Sequence, residues 1–466
     1  MRIISVSIMN PEEYFNPTFF TDYFKSKLRS KKGGALDGLT PDTFWKRYQR
    51  ELEVISKRCI EGTYKFSPYL EKLILKGKDK FPRILSVPSM RDRMVLGALN
   101  KYLQDTFPEA VNHEVPNQYI KEVSDFLAEH SKDKLYFLKT DIKGFYDNID
   151  LNTLYEKLEL RVDEHILRLI MSAIDTITIP RDAPRHSLPQ KPRLKGVPQG
   201  LAISNILASI SMLDFDTVVK GKYRHCIYKR YVDDILVLST TPLNTFSVDE
   251  IQCEFIMKKL GLRLSPNKTM YGEVGDTSFD YIGYMILSAL SISVRKKNVQ
   301  VFLNRISRLI SRYRSQKSNP FLRPRFIAED KELDEYYIAL INQKIAGIKV
   351  ANHLFGWIAY FQAMTDIHQL YEFDTVIHKK FLSGCEIEPK IYHLQDVYWD
   401  IKKYAGKHKL LDLDAIKDIG DMKAFLLSRG LIDKDFKYDD DEIQKRYYIY
   451  LEHLKKDAWK SIGITY

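Results

Sequence analysis

The stretch Ile227-Tyr-Lys-Arg-Tyr-Val-Asp-Asp-Ile-Leu-Val-Leu238 decides the fold of this chain. Strand-forming residues stand on both sides of two adjacent acids, Asp233 and Asp234, which predicts a β-hairpin with the carboxylates at its tight turn. Two fixed carboxylates repel each other, so the pattern favours a bound cation, and a divalent metal is the usual one. A Tyr-x-Asp-Asp motif is weak by itself, and the rest of the chain has to supply the context.

Size and composition are typical of a globular protein with a basic surface. The chain has 466 residues, 44% of them hydrophobic and 29% charged, which is enough for two or three domains. No apolar run approaches the ~20 residues that cross a bilayer, and the four cysteines are too scattered to indicate a disulfide framework or a zinc site. We therefore expect a cytoplasmic protein without a membrane partner. The net charge of +11 favours nucleic acid as the partner.

A third acid follows a second apolar run. Residues Lys134 to Asp141 are predicted to form a buried strand that ends at the carboxylate of Asp141. An acid at the end of a strand, in line with an acidic hairpin tip, suits two-metal phosphoryl transfer, in which shared ligands hold two ions about 3.5–4 Å apart.

Several local patterns predict where helices begin. Thr40 before Pro41 and Asp150 are predicted N-caps, and Ser247-Val-Asp-Glu250 is predicted to be a capping box. From about residue 299 the pattern is mainly helical. Its clearest helix, Arg305–Arg314, places an apolar stripe on one face and three arginines on another; the stripe is Ile306, Leu309, Ile310 and Tyr313.

Five short motifs occur in one order along the chain. They are Asp141-x-x-x-Phe-Tyr-Asp147, Pro198-Gln-Gly200, Tyr231-x-Asp-Asp234, Leu264-Ser-Pro-Asn-Lys-Thr269 and Tyr281-Ile-Gly-Tyr284. This series resembles the ordered motifs of the reverse transcriptases, and the resemblance extends from Gly38 to about Phe361. Joint order makes it far more specific than any single motif.

The resemblance implies an α+β fold, the right-hand polymerase. It has fingers, a palm built from an antiparallel sheet plus helices, a helical thumb, and here a C-terminal helical extension. The implied boundaries are 1–133 for the N-terminal region and fingers, 134–298 for the palm with an insertion around 180–195, 299–385 for the thumb, and 386–466 for the extension.

The resemblance also implies a metal site and a proton donor. The carboxylates of Asp141, Asp233 and Asp234, with the carbonyl of Ile142, would hold two magnesium ions (Mg²⁺), with manganese (Mn²⁺) as a substitute. Asp233 matches the firmer ligand of the tandem pair. Lys268 matches a lysine that protonates the leaving pyrophosphate, although a solvated turn is the alternative.

Four further residues match nucleotide-binding positions of the family. Tyr146 would exclude the 2′-hydroxyl of a ribonucleotide, or else be an ordinary core aromatic. Gln199 would pack on the incoming nucleotide, or else belong to a helix-entry turn. Arg83 and Lys76, in the fingers, would hold the triphosphate, although Lys76 could simply be solvated.

Basic residues elsewhere have two interpretations each. Arg305, Arg308 and Arg312 would face the phosphates of the primer–template duplex from the thumb helix, or form a solvated face. Arg91-Asp92-Arg93 is expected to be structural, an ion pair at a helix start.

The implied function is an RNA-directed DNA polymerase that uses dNTPs and an RNA template to make a DNA product. Leu201-Ala-Ile-Ser-Asn205 departs from the Ser-Pro or Ala-Pro start of intron and retron enzymes. This favours the defence-associated bacterial subgroup, acting against phage with a dedicated non-coding RNA, as a homo-oligomer or with a partner defence protein. The alternatives are a retron- or group II intron-like mobile-element enzyme, a template-independent or protein-primed DNA polymerase, and a non-catalytic ribonucleoprotein scaffold.

Overall fold

Helices and small sheets alternate along the chain in the computed structural model, which describes residues 9–29, 34–75, 81–111, 116–183, 193–222, 226–252 and 260–463. The α-helices of the first part are α1 (Pro17–Tyr23), α2 (Pro41–Tyr48), α3 (Leu52–Ile60), α4 (Met90–Thr106), α5 (Pro116–Glu129), α6 (Phe145–Asn148), α7 (Leu151–Glu159), α8 (Glu164–Asp175), α9 (Ser204–Lys222) and α10 (Thr245–Glu250). The later ones are α11 (Lys296–Ser318), α12 (Asp330–Ala346), α13 (Trp357–Tyr360), α14 (His368–Thr375), α15 (Leu394–Tyr404), α16 (Ile419–Ser428) and α17 (Asp440–Ile462). Two π-helical segments, Phe24–Leu28 and Val376–Phe381, directly follow α1 and α14.

The strands of the described residues are short and form four sheets. They are β1 (Tyr69–Ile74), β2 (Arg83–Val87), β3 (Tyr136–Asp141), β4 (Thr178–Ile179), β5 (Ile227–Tyr231), β6 (Asp234–Ser239), β7 (Met270–Glu273), β8 (Phe279–Tyr281), β9 (Tyr284–Ser288), β10 (Ser291–Val294), β11 (Ile348–Val350), β12 (His353–Phe355) and β13 (Leu411–Asp412). The strand orders are β2–β1–β4, β5–β6–β3–β7, β10–β9–β8 and β12–β11–β13. Hairpin pairs such as β5–β6 and β1–β2 are antiparallel. The predicted α+β class, with antiparallel sheets plus helices, is confirmed.

The chain divides into two units, which we describe separately. The first comprises Met1–His113, Leu138–Leu238 and Leu243–Tyr271, and the second Glu114–Phe137, Ser239–Pro242 and Gly272–Tyr466. The division into fingers, palm, thumb and extension stays a prediction.

The sheet β5–β6–β3–β7 supports the candidate site, because its inner strand β6 is deeply buried. Residues Ile235 to Leu238 are fully buried. A strand covered on both faces has an unbroken apolar run instead of alternating polar residues. Asp233 and Asp234, which directly precede this run, are therefore attached to a firmly packed strand.

Local sequence predicted two helix starts correctly and one incorrectly. Thr40 and Asp150 each accept the backbone N–H of the third residue on, as N-caps of α2 and α7. Helix α10, however, begins at Thr245 with Asn244 as its N-cap. The predicted start at Ser247 is therefore wrong, because Asn244 offers an equally good cap three residues earlier.

The residue Asp92 is structural, as expected. Its fully buried carboxylate accepts hydrogen bonds from the hydroxyls of Tyr64 (2.7 Å) and Ser89 (2.7 Å) and from the backbone N–H of Ser67 (3.2 Å). It joins the start of α4 to the segment that precedes β1.

The second unit is mainly helical but contains a small sheet that the helical prediction left out. Strands β11 and β12 are joined by Ala351 and Asn352, which both have positive φ (49° and 61°). The carboxylate of Asp414 accepts the N–H groups of both turn residues, at 2.6 and 2.9 Å. These two hydrogen bonds stabilise a left-handed turn, a conformation that normally favours glycine.

The C-terminal residues share a core with this small sheet. Ile348 and Val350 of β11 pack with Leu426 of α16 and with Tyr447 and Leu454 of α17, and all five are buried. Helix α17 also packs on α11 and α13. Among the described residues, no helix has the length and apolar character needed to cross a membrane.

Candidate active site

The two adjacent acids lie at the tip of the β5–β6 hairpin, as predicted. Tyr231 pairs with Asp234, so Val232 and Asp233 form the two-residue turn. Val232 has a φ of 58°, in the left-handed region that a β-branched residue rarely adopts. Backbone in such a conformation persists only where the surroundings hold it.

An ion pair that the sequence reasoning missed holds this turn. The guanidinium of Arg230 binds both carboxylate oxygens of Asp216 in α9, at 2.8 and 2.6 Å, and donates a third hydrogen bond of 2.9 Å to the carbonyl of Val232. The Tyr228 hydroxyl donates to Asp216 as well, at 2.6 Å. A forked, doubly bonded pair fixes direction as well as distance, so Arg230 sets the position of the hairpin tip.

The acid Asp141 meets this turn. It is buried at the end of β3, and the N–H of the next residue, Ile142, donates to the carbonyl of Asp233 at 3.2 Å. The carbonyl of Asp141 accepts the N–H of Ser265 at 2.7 Å. Three segments far apart in sequence thus converge on one point.

Electrostatics at this point are those of crowded acids. Burial, reinforced by the negative charge of Asp141, raises the pKa of Asp233. Burial and the charges of Asp233 and Asp141 raise the pKa of Asp234 to about 6, although the ammonium of Lys139 acts in the opposite direction. Both shifts mean that the ionised acids lack sufficient positive charge nearby.

Two lysines provide part of that charge. Lys268 donates a hydrogen bond of 2.5 Å from Nζ to Oδ2 of Asp141. Burial disfavours its charged form, but that bond and the charges of Asp141, Asp233 and Asp234 raise the pKa of Lys268 above its usual value. Lys139, buried in β3, faces Asp234 and was not singled out from the sequence.

The donor set fits a divalent cation chemically, since hard cations prefer carboxylate and carbonyl oxygens. The described residues bring Asp141, Asp233 and Asp234 into one site, yet they do not place one oxygen from each within 4.8 Å of the other two. Mutual repulsion and the pairing of Asp141 with Lys268 are consistent with that spread.

The predicted sugar-gate and nucleotide residues lie in the same unit. The Tyr146 hydroxyl donates to Oδ1 of Asn205 in α9 at 2.7 Å. Burial and the charge of Asp233 raise the pKa of Tyr146 to about 12, which places this ring next to the acids. The Gln199 side-chain amide donates to Oδ1 of Asp147 at 3.4 Å.

The Pro-Gln-Gly segment is joined to strand β2. The N–H of Ser86 donates to the carbonyl of Gln199 at 2.7 Å. Gly200 has a φ of 103°, and a Cβ there would lie 2.8 Å from the Ser86 carbonyl oxygen. Only glycine fits so close an approach, which explains this residue type in the motif.

Arg83, the first residue of β2, has a polar atom without a partner. Its Nε is buried and makes no hydrogen bond to any described residue. Its positive charge acts on both Asp233 and Tyr146 and partly offsets the rise that burial causes in their pKa values. Arg83 is therefore brought to the site, whereas Lys76 lies outside the described residues.

The three arginines that were predicted to face the duplex belong to the second unit and differ from one another. Arg308 and Arg312 are exposed on α11. Arg305 is half-buried, and its guanidinium binds the carboxylate of Asp457 in α17, which also binds the ammonium of Lys344. Ile306, Ile310 and Tyr313 of the predicted apolar stripe are buried as expected, whereas Leu309 is only partly buried.

Comparison with known proteins agrees, for the central segment, with the resemblance to reverse transcriptases that the order of the motifs indicated. Residues 74–286 match the family model described as reverse transcriptase (RNA-dependent DNA polymerase), so this segment, less than half of the chain, carries a reverse transcriptase domain. The group II intron-encoded protein LtrA of Lactococcus lactis is 25% identical over 197 residues, which cover 41% of this chain and 32% of that protein. Protein YkfC of Escherichia coli K12 is 22% identical over 307 residues, 55% of this chain and 77% of its own.

Two other matches cover larger shares of this chain. The putative COX1/OXI3 intron 1 protein of Saccharomyces cerevisiae is 23% identical over 318 residues, 56% of this chain and 37% of that protein. The solved telomerase of Candida albicans, in complex with a TWJ fragment of telomeric RNA, is 17% identical, with 79% of this chain and 67% of that chain covered and a TM-score of 0.41. The chain thus spans about a third of the length of the LtrA relative.

Proposed function

We propose that this chain, whose residues 74–286 carry a reverse transcriptase domain, is an RNA-directed DNA polymerase. The observation that carries the proposal is the meeting of Asp141 with the turn at Asp233, through the 3.2 Å hydrogen bond from the N–H of Ile142. Acids held together in this way have no structural benefit, since burial and the charge of Asp141 raise the pKa of Asp233. A site that binds cations during catalysis explains them.

Within this proposal, Asp141 and Asp233, with the carbonyl of Ile142 and the carboxylate of Asp234, hold divalent cations. Mg²⁺ is the proposed ion, two per site, with Mn²⁺ as a substitute. Bound ions of this kind activate the attacking 3′-hydroxyl and stabilise the leaving pyrophosphate. Lys268, kept protonated by its acidic neighbours, is proposed to donate a proton to the leaving group.

The nucleotide pocket follows from the residues around these acids. The unpartnered Nε of Arg83 is available to a phosphate oxygen, and Lys76 from the same hairpin is proposed to assist. Tyr146, fixed through its hydroxyl to Asn205, is proposed to present its ring to the sugar of the incoming nucleotide. Gln199 is proposed to pack on the base pair being formed.

The duplex would be held by the second unit. Exposed Arg308 and Arg312 are proposed to bind backbone phosphates, with Arg305 in a supporting part because it is already bound to Asp457. The proposed boundaries remain 1–133, 134–298, 299–385 and 386–466.

Primer extension tests the polymerase activity. Purified protein is given a DNA primer on an RNA template, dNTPs and Mg²⁺ or Mn²⁺, and we expect elongation that requires RNA, dNTPs and metal. Asp233→Asn is the inactive variant, and Asp276→Asn, an exposed acid elsewhere, is the matched control. Equal extension by wild type and Asp233→Asn would overturn the proposal.

We further propose that the template is a dedicated non-coding RNA and that the enzyme acts in antiphage defence in the bacterial cytoplasm, alone as a homo-oligomer or with a partner defence protein. The support is the departure at Leu201-Ala-Ile-Ser-Asn205 from the intron and retron pattern. Sequencing of RNA and DNA that co-purify with the protein should yield one dominant RNA and its complement. Random cellular RNA without complementary DNA, or equal phage plating on cells with wild type and Asp233→Asn, would contradict this role.

A mobile-element enzyme is the second candidate. It is favoured by the similarity to the group II intron-encoded protein LtrA and to the yeast intron 1 protein. In that case the RNA bound to the purified protein would be transcribed from the element that contains the protein's own gene. Recovery of a structured intron or retron RNA from that position would favour this alternative over defence.

A further inference from the structure

We propose that Asp374, His378 and His393 form a binding site for a divalent transition-metal cation, Zn²⁺ in first place, which is separate from the polymerase acids. All three belong to the second unit, and one ligand atom from each lies within 4.8 Å of the other two. Asp374 is near the end of α14, His378 is one turn later in the π-helical segment Val376–Phe381, and His393 immediately precedes α15. The scattered cysteines gave no sign of such a site, because its ligands are not cysteines.

The strongest observation concerns His378, whose side chain is 7% exposed. Its Nδ1 lies 2.7 Å from Oε1 of Glu388. An ionised carboxylate only accepts hydrogen bonds, so in the neutral imidazole Nδ1 carries the hydrogen and Nε2 carries a lone pair. That Nε2 is buried and has no hydrogen-bond partner among the described residues. A buried lone pair without a partner is unfavourable, and a metal ion would satisfy it.

The contact with Glu388 is itself typical of metal sites. A ligating histidine commonly donates its other ring N–H to a carboxylate, which fixes the ring and raises its basicity. Glu388 can fill that role, since it binds Nδ1 of His378 and leaves Nε2 for an ion.

The ring of His393 is stacked on that of His378, with centroids 3.9 Å apart and an angle of 17° between the planes. Its Nδ1 is also buried without a hydrogen-bond partner within the described part of the chain. The distance from this atom to Oδ2 of Asp374 is 3.8 Å, too long for a hydrogen bond. The side chain is 45% exposed overall, which gives an ion a path from solvent.

The third ligand is held firmly. The carboxylate of Asp374 accepts the backbone N–H groups of Leu394 and Gln395 at the start of α15, at 2.7 and 3.3 Å. Each carboxylate oxygen has a second lone pair, so these bonds fix the group and still leave it able to bind a cation.

The donor set selects the class of metal. Two imidazole nitrogens and one carboxylate suit Zn²⁺ or another first-row ion with a water completing the site, whereas Mg²⁺ and Ca²⁺ prefer oxygen ligands alone. Zinc bonds of about 2.0–2.2 Å place ligand atoms about 3.4 Å apart, so binding requires the rings of His378 and His393 to rotate out of their stacked arrangement toward a shared ion. The ion would join the end of α14 to the start of α15.

Metal content tests the proposal directly. Full-length protein without a histidine tag is treated with a chelator, dialysed against dilute Zn²⁺ and analysed for bound zinc; titration against a chromophoric chelator gives the affinity. We expect one tightly bound zinc per chain in the wild type and in Asp233→Asn, because the polymerase acids are not its ligands. Asp374→Asn, His378→Gln and His393→Gln should lose it.

Matched variants separate binding from general damage. His368→Gln changes an exposed histidine of the same helix and should keep the zinc. Glu388→Gln should weaken zinc binding about 10- to 100-fold without abolishing it. Zn²⁺ should raise the thermal midpoint of the wild type but not that of His393→Gln. This variant is expected to fold, because the side chain of His393 is about half exposed. Absence of bound zinc in the wild type, or equal affinity in His393→Gln and His368→Gln, would overturn the proposal.

Discussion

Lys268 and Asp141, 127 residues apart in the chain, are joined by a hydrogen bond of 2.5 Å between Nζ and Oδ2. The bond keeps a cation beside the acid that ends β3. It also explains why the pKa of Lys268 is raised although burial disfavours its charge.

Replacing this lysine should therefore slow catalysis more than it weakens nucleotide binding. Loss of a general acid typically costs about 10²- to 10⁴-fold, so we expect Lys268→Gln to lower kcat by at least about 100-fold with little change in KM. Because its raised pKa keeps Lys268 protonated, the wild-type rate should show no loss from this group below about pH 10. Single-turnover incorporation across pH checks this, with exposed Lys57→Gln as the control; an unchanged kcat in Lys268→Gln would leave the lysine a solvated side chain.

Asp234 should make stability depend on pH in the absence of metal. Its pKa is about 6 in the fold and 3.8 ordinarily. Below pH 3.8 the carboxyl group of Asp234 is protonated in both the folded and the unfolded chain, so it does not make stability depend on pH. As the pH rises to 6 and above, the folded chain must hold a buried negative charge, which the unfolded chain exposes to water. The contribution to stability is thus lost with rising pH, by about 3 kcal/mol at most.

Urea denaturation in chelator measures this loss. Asp234→Asn should equal wild type near pH 4 and be more stable at pH 7, whereas Asp276→Asn, an exposed acid, should show no such difference. A pH-independent difference between Asp234→Asn and wild type would show that this carboxylate is not destabilised by its surroundings.

The sequence predicted those parts of the site that reside in local pattern and motif order. The hairpin, its two acids and the strand that ends at Asp141 each have a characteristic run of residues, and their order along the chain implied that they meet. Caps at Thr40 and Asp150 followed from single residues.

What the sequence did not predict depends on pairs formed only by folding. Nothing near Asp216 indicates that its partner is Arg230, and nothing in the sequence of β3 indicates that Lys139 is buried. The left-handed turn at Ala351 and Asn352 lacks glycine because Asp414, more than sixty residues later, stabilises it. Such contacts require the three-dimensional arrangement.

The Arg230–Asp216 pair should determine how well the acids are positioned. Removing one member of a mostly buried pair leaves an uncompensated charge, so we expect Arg230→Met to lower stability by about 3 kcal/mol. Arg230→Lys keeps the charge but loses the forked bond to Asp216 and the bond to Val232, so it should reduce kcat with a smaller loss of stability. Denaturation and primer extension measure both, and the double variant Arg230→Met/Asp216→Leu should recover stability but not activity. Full activity in Arg230→Met would remove its positioning part.

Tyr146 should select the sugar through its ring. Tyr146→Ala opens the space where a 2′-hydroxyl would lie, so we expect the preference in kcat/KM for dNTPs over rNTPs to fall at least about 10-fold. Tyr146→Phe keeps the ring and loses only the hydrogen bond to Asn205, so it should retain most of that preference. Unchanged selectivity in Tyr146→Ala would indicate an ordinary core aromatic.

The three arginines of α11 should separate into two classes by salt dependence. Each phosphate contact adds about 0.9 to the slope of log affinity against log salt concentration for a duplex. The double variant Arg308→Gln/Arg312→Gln, both exposed, should therefore lower that slope by nearly two without affecting stability. Arg305→Gln breaks a contact with Asp457 that joins α11 to α17, so it should lower the thermal midpoint instead. Fluorescence anisotropy with a labelled RNA–DNA duplex at several salt concentrations measures the slopes, and exposed Lys331→Gln serves as the control for a general charge effect. If Arg308→Gln/Arg312→Gln binds with the wild-type slope, the exposed face of α11 is solvated and the duplex is held elsewhere.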